Sequence, residues 1–201
     1  AVSKLFELGC PLVILACNTA SAKALRTIQQ INLPVIDATR RVLGVIRPTA
    51  ECIGEITRSR HVGILATAGT IKSESYLLEI HKLSPDIVVT GEACPMWVSL
   101  VENNEYQSEG ADYFVKQHIN RLLDKDPMID TIILGCTHYP LLLDKIRQFT
   151  PGHIRIIAQG EYVAESLKDY LSRHPEMNAK CTQNGSCLFY TTEAEEKFVE
   201  S

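Results

Sequence analysis

The sequence has 201 residues, of which 45% are hydrophobic and 22% charged, as is ordinary for a globular protein that buries a core. The formal net charge of −4 and the dispersed basic residues argue against a nucleic-acid partner. No apolar run approaches the roughly 20 residues that span a bilayer, and residues 1–10 lack the pattern of a signal peptide, so we expect a cytoplasmic protein without membrane association.

The chain starts with apolar residues at helical spacing: Val2, Leu5, Phe6 and Leu8. This pattern predicts the end of an amphipathic helix, which enters a strand through Gly9 and Pro11. The expectation is therefore a chain that begins in the middle of a βα unit.

Short apolar runs then alternate with amphipathic stretches, which predicts an α/β protein with parallel sheets. Helices are predicted from apolar spacing after the first run and, beyond Pro140, after a later one, since proline suits the first turn of a helix. The predicted strands are Leu12–Leu15, Val62–Leu65, Ile87–Val89, Ile129–Leu134 and Ile154–Ile157.

The tail is predicted to hold an edge strand at Cys187–Tyr190, after a turn at Asn184-Gly185. A short helix that ends at Phe198 or Val199 follows it. Any domain boundary has to be a compact crossover, because long flexible linkers are absent from the sequence.

One local pattern occurs twice. An apolar strand and a small residue precede Cys17-Asn18-Thr19, and the same arrangement precedes Cys136-Thr137-His138. Ligands bind beyond the carboxyl ends of the strands in α/β sheets, so both cysteines are predicted at the edge of a cleft. The alternative is that each cysteine is a small core residue, but the duplication of the polar neighbours weakens it.

Both cysteines precede a predicted helix, whose N-terminal dipole should lower the pKa of each thiol. Asn18, Thr19, Thr137 and backbone N–H groups offer neutral donors for a carboxylate, although each side chain taken singly is better explained as a helix cap. Two acid–base groups that face one cleft suit a reaction that removes a proton from one side of a carbon and returns one to the other.

The two motifs Ala16-Cys17-Asn18-Thr19-Ala20-Ser21 and Gly135-Cys136-Thr137-His138-Tyr139-Pro140 closely resemble the signatures of glutamate racemases. Between them, Ala66–Ile71, Ala93-Cys94-Pro95 and Leu100-Val101-Glu102 follow the order of that family. The resemblance covers nearly the whole chain.

The resemblance implies two similar parallel-sheet α/β domains, the second inserted into the first, with the active site between them. On this sequence the first domain would comprise 1–39 and 153–201, and the second 40–152. The first domain would be incomplete at the amino end, because the family's Asp-Ser-Gly and Pro-Tyr-Gly loops are absent from the sequence.

The resemblance also implies a mechanism without pyridoxal phosphate, metal or other cofactor, in which Cys17 serves the D-glutamate side and Cys136 the L-glutamate side. His138 matches a residue that assists the second thiol, and Glu102 matches an assisting carboxylate. Asn18, Thr19, Thr137 and His138 match substrate-binding positions. Thr67 and Thr70 lie on another strand-to-helix loop and could reach the ligand carboxylates, although helix capping explains Thr70 equally well.

The expected partner is therefore a small molecule, glutamate, whose D-enantiomer supplies bacterial peptidoglycan synthesis. The family resemblance also admits a homodimer, although the sequence does not reveal an oligomeric state. The turn Ala158-Gln159-Gly160 departs from the Asp-Ser-Gly-like turn of many relatives, with an expected consequence for structure rather than chemistry.

Three alternatives remain open. An aspartate or hydantoin racemase is disfavoured by Thr137-His138-Tyr139-Pro140, and a non-catalytic binding module becomes plausible if the natural chain begins at Ala1. A Cys136–His138 hydrolase is disfavoured because two residues of separation at a strand end rarely bring an imidazole to a thiol, and because it leaves Cys17 unexplained. The other five cysteines are widely spaced, which argues against a disulfide framework or a structural zinc site.

Overall fold

A computed structural model describes residues 1–183 and 185–192. Over these residues the chain forms an α/β structure in which every paired strand is parallel to its neighbour. The strands are β1 (Leu12–Leu15), β2 (Arg41–Gly44), β3 (His61–Ala66), β4 (Val88–Ala93), β5 (Thr131–Gly135) and β6 (Arg155–Ala158).

Helices connect the strands, as the amphipathic stretches predicted. They are α1 (Val2–Glu7), α2 (Asn18–Thr27), α3 (Leu33–Ile36), α4 (Ile46–Ile56), α5 (Ala68–Lys72), α6 (Ser75–Leu83), α7 (Pro95–Glu102), α8 (Glu109–Lys125), α9 (Leu143–Phe149), α10 (Gly160–Arg173) and α11 (Pro175–Asn178). A π-helical turn (Ile28–Asn32) joins α2 to α3, and a 3₁₀ turn (Tyr139–Leu142) precedes α9 and contains Pro140 in its first turn.

The strands form two sheets. β1 pairs with β2, and a second sheet has the order β4-β3-β5-β6. In the second sheet, Ala66 is level with both Ala93 and Gly135, and Leu134 is level with Ala158. The loops that leave these four strands therefore start at one common edge.

The larger sheet is covered on both faces, which explains why its central strands read as continuous apolar runs. Ile132 and Leu134 of β5 pack into a cluster with α7, α8 and α9, whereas Ile133 packs into a second cluster with α4 and α6. A smaller cluster of Phe6, Val13, Leu33 and Val42 holds the two-stranded sheet against α1 and α3.

Most of the predicted elements are confirmed. All five strands that were predicted before the tail are present, although β4 extends to Ala93 instead of ending at Val89. The helix at the chain start is also confirmed, and it is followed by Gly9 at a φ of +93°. β2 was not predicted, because its four residues begin with an arginine and end with a glycine.

The predicted tail strand at Cys187–Tyr190 is wrong, since these four residues lie in neither a strand nor a helix. Leu188, Phe189 and Tyr190 are 65–79% exposed, so no apolar face is buried there to stabilise a strand. Asn184 of the predicted turn and the helix predicted to end at Phe198 or Val199 lie outside the described residues.

The division into domains at 1–39, 40–152 and 153–201 stays a prediction. β2 pairs with β1, and β6 pairs with β5, so hydrogen-bonded strands join the segments on the two sides of both boundaries. Within residues 1–183 and 185–192, no helix is both long and apolar enough to cross a bilayer.

Candidate functional site

Most of the sequence-predicted site residues lie where β1, β3 and β5 pass into the following helical segments, and Glu102 is the last residue of α7. Cys17 is the residue before α2, Thr67 is the residue before α5, and Cys136 follows directly after the last residue of β5. This is the edge at which parallel α/β sheets bind ligands.

Cys17 is exposed and extended, and its carbonyl accepts a hydrogen bond from the Ser21 N–H at 2.9 Å. The Ser21 hydroxyl in turn donates to the carbonyl of Leu15 at 2.7 Å. The thiol therefore stands at the start of α2, where free N–H groups and the helix dipole favour an anion.

Asn18 is only 3% exposed, and both ends of its carboxamide are paired. Its Nδ2 donates to Gln159 Oε1 at 2.8 Å, and its Oδ1 accepts from the Tyr76 hydroxyl at 2.6 Å. The side chain that the sequence predicted to bind substrate is thus committed to the protein interior, whereas its backbone N–H lies in the first turn of α2.

Thr19 joins the loop after β1 to the loop after β3. Its hydroxyl lies 2.8 Å from that of Thr67 and 3.1 Å from that of Thr70, and the last two are themselves 3.1 Å apart. Thr67 also caps α5, because its side chain accepts from the Thr70 N–H. Helix capping is therefore confirmed for Thr67, and the three hydroxyls form one cluster that includes the residue two positions after Cys17, whereas contact with ligand carboxylates stays a prediction.

Three predicted residues, Cys136, His138 and Glu102, form a series of contacts at the second cysteine loop. Cys136 Sγ lies 3.7 Å from His138 Nδ1, and His138 Nε2 lies 3.3 Å from Glu102 Oε1. The Glu102 side chain is 61% exposed, so its carboxylate connects the imidazole to solvent. A proton can pass along this series in either direction.

Burial raises the pKa of Cys136, which is 8% exposed, above the ordinary thiol value. The N–H groups of His138 and Tyr139 oppose this effect, while negative charge on Cys17 or Glu102 adds to it. The sequence predicted a lowered pKa for this thiol, and that prediction is wrong because desolvation outweighs the effect of the donors that follow the strand.

Negative charge on a Cys17 thiolate therefore favours the protonated form of Cys136, as a pair made of one base and one acid requires. Thr137 is exposed on the same loop, while Tyr139 is buried and donates its hydroxyl to the carbonyl of Cys94 at 3.1 Å.

Sequence reasoning missed Tyr76 and singled out Gln159 only as a departure from relatives. Gln159 Nε2 also donates to the Val45 carbonyl at 3.1 Å and to Thr49 Oγ1 at 3.0 Å. For Gln159, the only signal in the sequence was that a glutamine follows a predicted strand at the ligand-binding edge. Tyr76 resembled any other apolar position of an amphipathic helix.

Comparison with known proteins gives the same family as the two motifs. The family model for Asp/Glu/hydantoin racemases matches residues 1–167. A glutamate racemase of Roseobacter denitrificans is 38% identical over 202 residues, covering 96% of this chain and 72% of the relative. A glutamate racemase of Levilactobacillus brevis is 36% identical, covering 92% of this chain and 64% of the relative.

Solved structures of glutamate racemases are also similar to this chain. The glutamate racemase isoform RacE1 of Bacillus anthracis superimposes with a TM-score of 0.78 at 34% identity, covering 86% of this chain and 62% of that one. A Francisella tularensis glutamate racemase in complex with D-glutamate has a TM-score of 0.74 at 29% identity, covering 90% of this chain and 64% of that one. The chain thus spans about two thirds of the length of these relatives. With both cysteine motifs placed at one edge of its sheets, it belongs to the Asp/Glu/hydantoin racemase family, alongside the glutamate racemases.

Proposed function

We propose that the protein interconverts L- and D-glutamate, with Cys17 and Cys136 as the two acid–base groups. The observation that carries this proposal is the pair of thiols at the ligand-binding edge, each lying between a parallel strand and a helical segment. The glutamate racemase relatives support glutamate as the substrate.

With D-glutamate bound, the Cys17 thiolate takes the α-proton while the Cys136 thiol gives its proton to the opposite face of the carbon. The raised pKa of Cys136 favours the protonated form that this direction needs. Afterwards Cys17 is a thiol and Cys136 a thiolate, which is the state that accepts L-glutamate. Before the next D-glutamate binds, Cys136 regains a proton through His138 and Glu102, and the exposed Cys17 loses its proton to solvent.

The substrate carboxylates are proposed to bind neutral donors. Thr19 and Thr137 contribute hydroxyls, and Asn18 contributes its backbone N–H at the start of α2, since its carboxamide is already paired. The developing negative charge on the α-carbon is stabilised by the same preorganised donors.

The test is a racemase assay of the intact gene product with each enantiomer of glutamate and of aspartate, followed by polarimetry or chiral chromatography. Cys17→Ser and Cys136→Ser should each lower kcat by at least about 10²-fold while the fold is retained, because serine is a far weaker acid. Wild-type-like turnover in either variant would remove the two-thiol mechanism. Faster turnover of aspartate would assign the other substrate.

A second candidate is a Cys136–His138 hydrolase, since the 3.7 Å separation of thiol and imidazole is within the reach of a nucleophile–base pair. The sequence argument against that geometry therefore fails. Cys17 remains unexplained in this mechanism, so it predicts that Cys17→Ala keeps its activity on activated esters and amides. Loss of all turnover in Cys17→Ala favours the racemase.

In the cell, the protein is proposed to supply D-glutamate for peptidoglycan synthesis from the cytoplasm, as the family implies. We also propose a homodimer, which light scattering of the purified protein would test. Complementation of a strain that requires external D-glutamate would test the cellular role.

A further inference from the structure

Tyr76 lies between the two cysteine loops and contacts both. It is 3% exposed in α6, and its hydroxyl donates to Asn18 Oδ1 at 2.6 Å, one residue after Cys17. Its ring lies over Gly135, one residue before Cys136, since a Cβ added there would be 3.2 Å from Tyr76 Cε2. One side chain therefore spans from the first loop to the second.

The hydroxyl end of this span is held rigidly. Asn18 cannot turn its carboxamide, because Gln159 accepts from Nδ2 at 2.8 Å and Tyr76 donates to Oδ1 at 2.6 Å. Gln159 is fixed in turn by the Val45 carbonyl and Thr49 Oγ1. Burial raises the pKa of Tyr76 far above its usual range, so the hydroxyl stays a donor.

The ring end is equally confined. An alanine Cβ at Gly135 would lie 3.0 Å from the Cβ of Ala66 as well as 3.2 Å from the Tyr76 ring. The strand end that carries Cys136 therefore lies this close to the Tyr76 ring because residue 135 has no side chain, and an added side chain would press the two apart.

We propose that Tyr76 is a positioning residue which, through Asn18 and Gly135, sets the separation of Cys17 and Cys136, with Gln159 holding the Asn18 end. The inference rests on the proposed racemase function, because a fixed separation matters only if both thiols act on one carbon. A misplacement of about 1 Å at a reacting group can cost roughly 10²-fold in rate.

The first experiment compares Tyr76→Phe with Thr150→Val in the intact protein. Thr150→Val is the matched control, because it also removes one buried hydroxyl, which donates to the Ile146 carbonyl at 2.6 Å at the end of α9. Tyr76→Phe keeps the ring on Gly135 but leaves Asn18 Oδ1 unpaired.

Tyr76→Phe should lower kcat by roughly 10- to 100-fold and change KM by less than about threefold, whereas Thr150→Val should change neither by more than about twofold. A Tyr76→Phe enzyme with unaltered kcat overturns the proposal. A fall in kcat/KM that comes entirely from a higher KM also overturns the proposal, since Tyr76 would then serve substrate binding.

Gln159→Met provides the coupling test. If Tyr76 and Gln159 both act by orienting the Asn18 carboxamide, the double variant should lose little more activity than the worse single variant. If the fold-losses of the two single variants multiply in the double variant, Tyr76 and Gln159 act on different groups. That result contradicts the proposal that both orient the Asn18 carboxamide.

A final measurement does not depend on activity. Solvent exchange of the Asn18 side-chain NH₂ protons, followed by NMR, should be slow in the unaltered protein and in Thr150→Val. It should be at least about tenfold faster in Tyr76→Phe. Equal exchange rates in all three proteins overturn the positioning role even if the protein proves not to racemise glutamate, and unequal rates support that role whatever the substrate is.

Discussion

The His138 imidazole lies 3.7 Å from the Cys136 thiol, only two residues along the chain, so it is a proton carrier within reach of that thiol. His138→Gln should lower kcat by roughly 10- to 100-fold, because it removes a group that can take up the thiol proton. Glu102→Gln should cost less than about tenfold, because its exposed carboxylate is screened by water. Steady-state kinetics with both enantiomers checks the order of these effects, and a larger loss for Glu102→Gln would reverse the assignment.

The raised pKa of Cys136 predicts a pH dependence for the L-to-D direction. This direction needs the Cys136 thiolate as base, so kcat with saturating L-glutamate should fall as pH drops through the raised pKa. The fall should begin at a higher pH than for a thiol with the ordinary value of 9.0. A profile of kcat from pH 6 to 10 measures it, and a flat profile above pH 7 would contradict the raised pKa.

At the scale of elements, the passage from β5 into the second cysteine loop depends on a residue without a side chain. Gly135→Ala places a Cβ 3.0 Å from Ala66 Cβ, which should lower the free energy of unfolding by about 1–3 kcal/mol and reduce activity. Gly152→Ala is the matched control, because an added Cβ there meets nothing within 4 Å. Chemical denaturation checks both variants, and equal stability would show that the strand end yields without cost.

The sequence correctly predicted the elements that a local pattern of apolar residues marks. β3 and β5 are apolar along their length because helices cover both faces of the sheet, so their runs stand out. β2 has only two apolar residues, between an arginine and a glycine, so no such run marks it. The tail at Cys187–Tyr190 has strand composition without a buried face, which composition alone cannot reveal.

The residues of the candidate site also fall into those that a local sequence pattern predicts and those that it does not. Cys17 and Cys136 follow from a local pattern that occurs twice, so the sequence places both at the strand ends. The contacts of Asn18 with Tyr76 and Gln159 join positions that are 58 and 141 residues apart, and no local pattern encodes such pairs. The pKa of Cys136 depends on burial, which periodicity does not measure.

Across the whole molecule, buried and half-buried carboxylates link stability to pH. Burial alone would raise the pKa of Glu92, but hydrogen bonds from Lys125 and His118 outweigh it and hold this pKa below the ordinary value of 4.5. For Asp130, likewise, burial is outweighed by donors that include Thr57 and the Ser59 N–H, so its pKa is also lowered.

Because both pKa values are lower in the folded state, the stability that they contribute is present above the unfolded-state values near 4 and is lost as pH falls through the folded-state values. The free energy of unfolding should therefore decline below about pH 4.5. Asp130→Asn should cost about 2–3 kcal/mol at neutral pH and make this decline shallower. Denaturation at pH 7, 4 and 3 measures both effects, and a parallel decline in the variant would exclude Asp130 as a source.

The unequal surroundings of the two thiols have a consequence for covalent inhibition. Cys17 is exposed, whereas Cys136 is 8% exposed and its pKa is raised by burial. A small electrophile such as iodoacetamide attacks thiolates that it can reach, so it should modify Cys17 well before Cys136 at neutral pH. An inhibitor with a mild electrophile aimed at the Cys17 side of the cleft would therefore block both directions of a two-thiol reaction by capturing one residue.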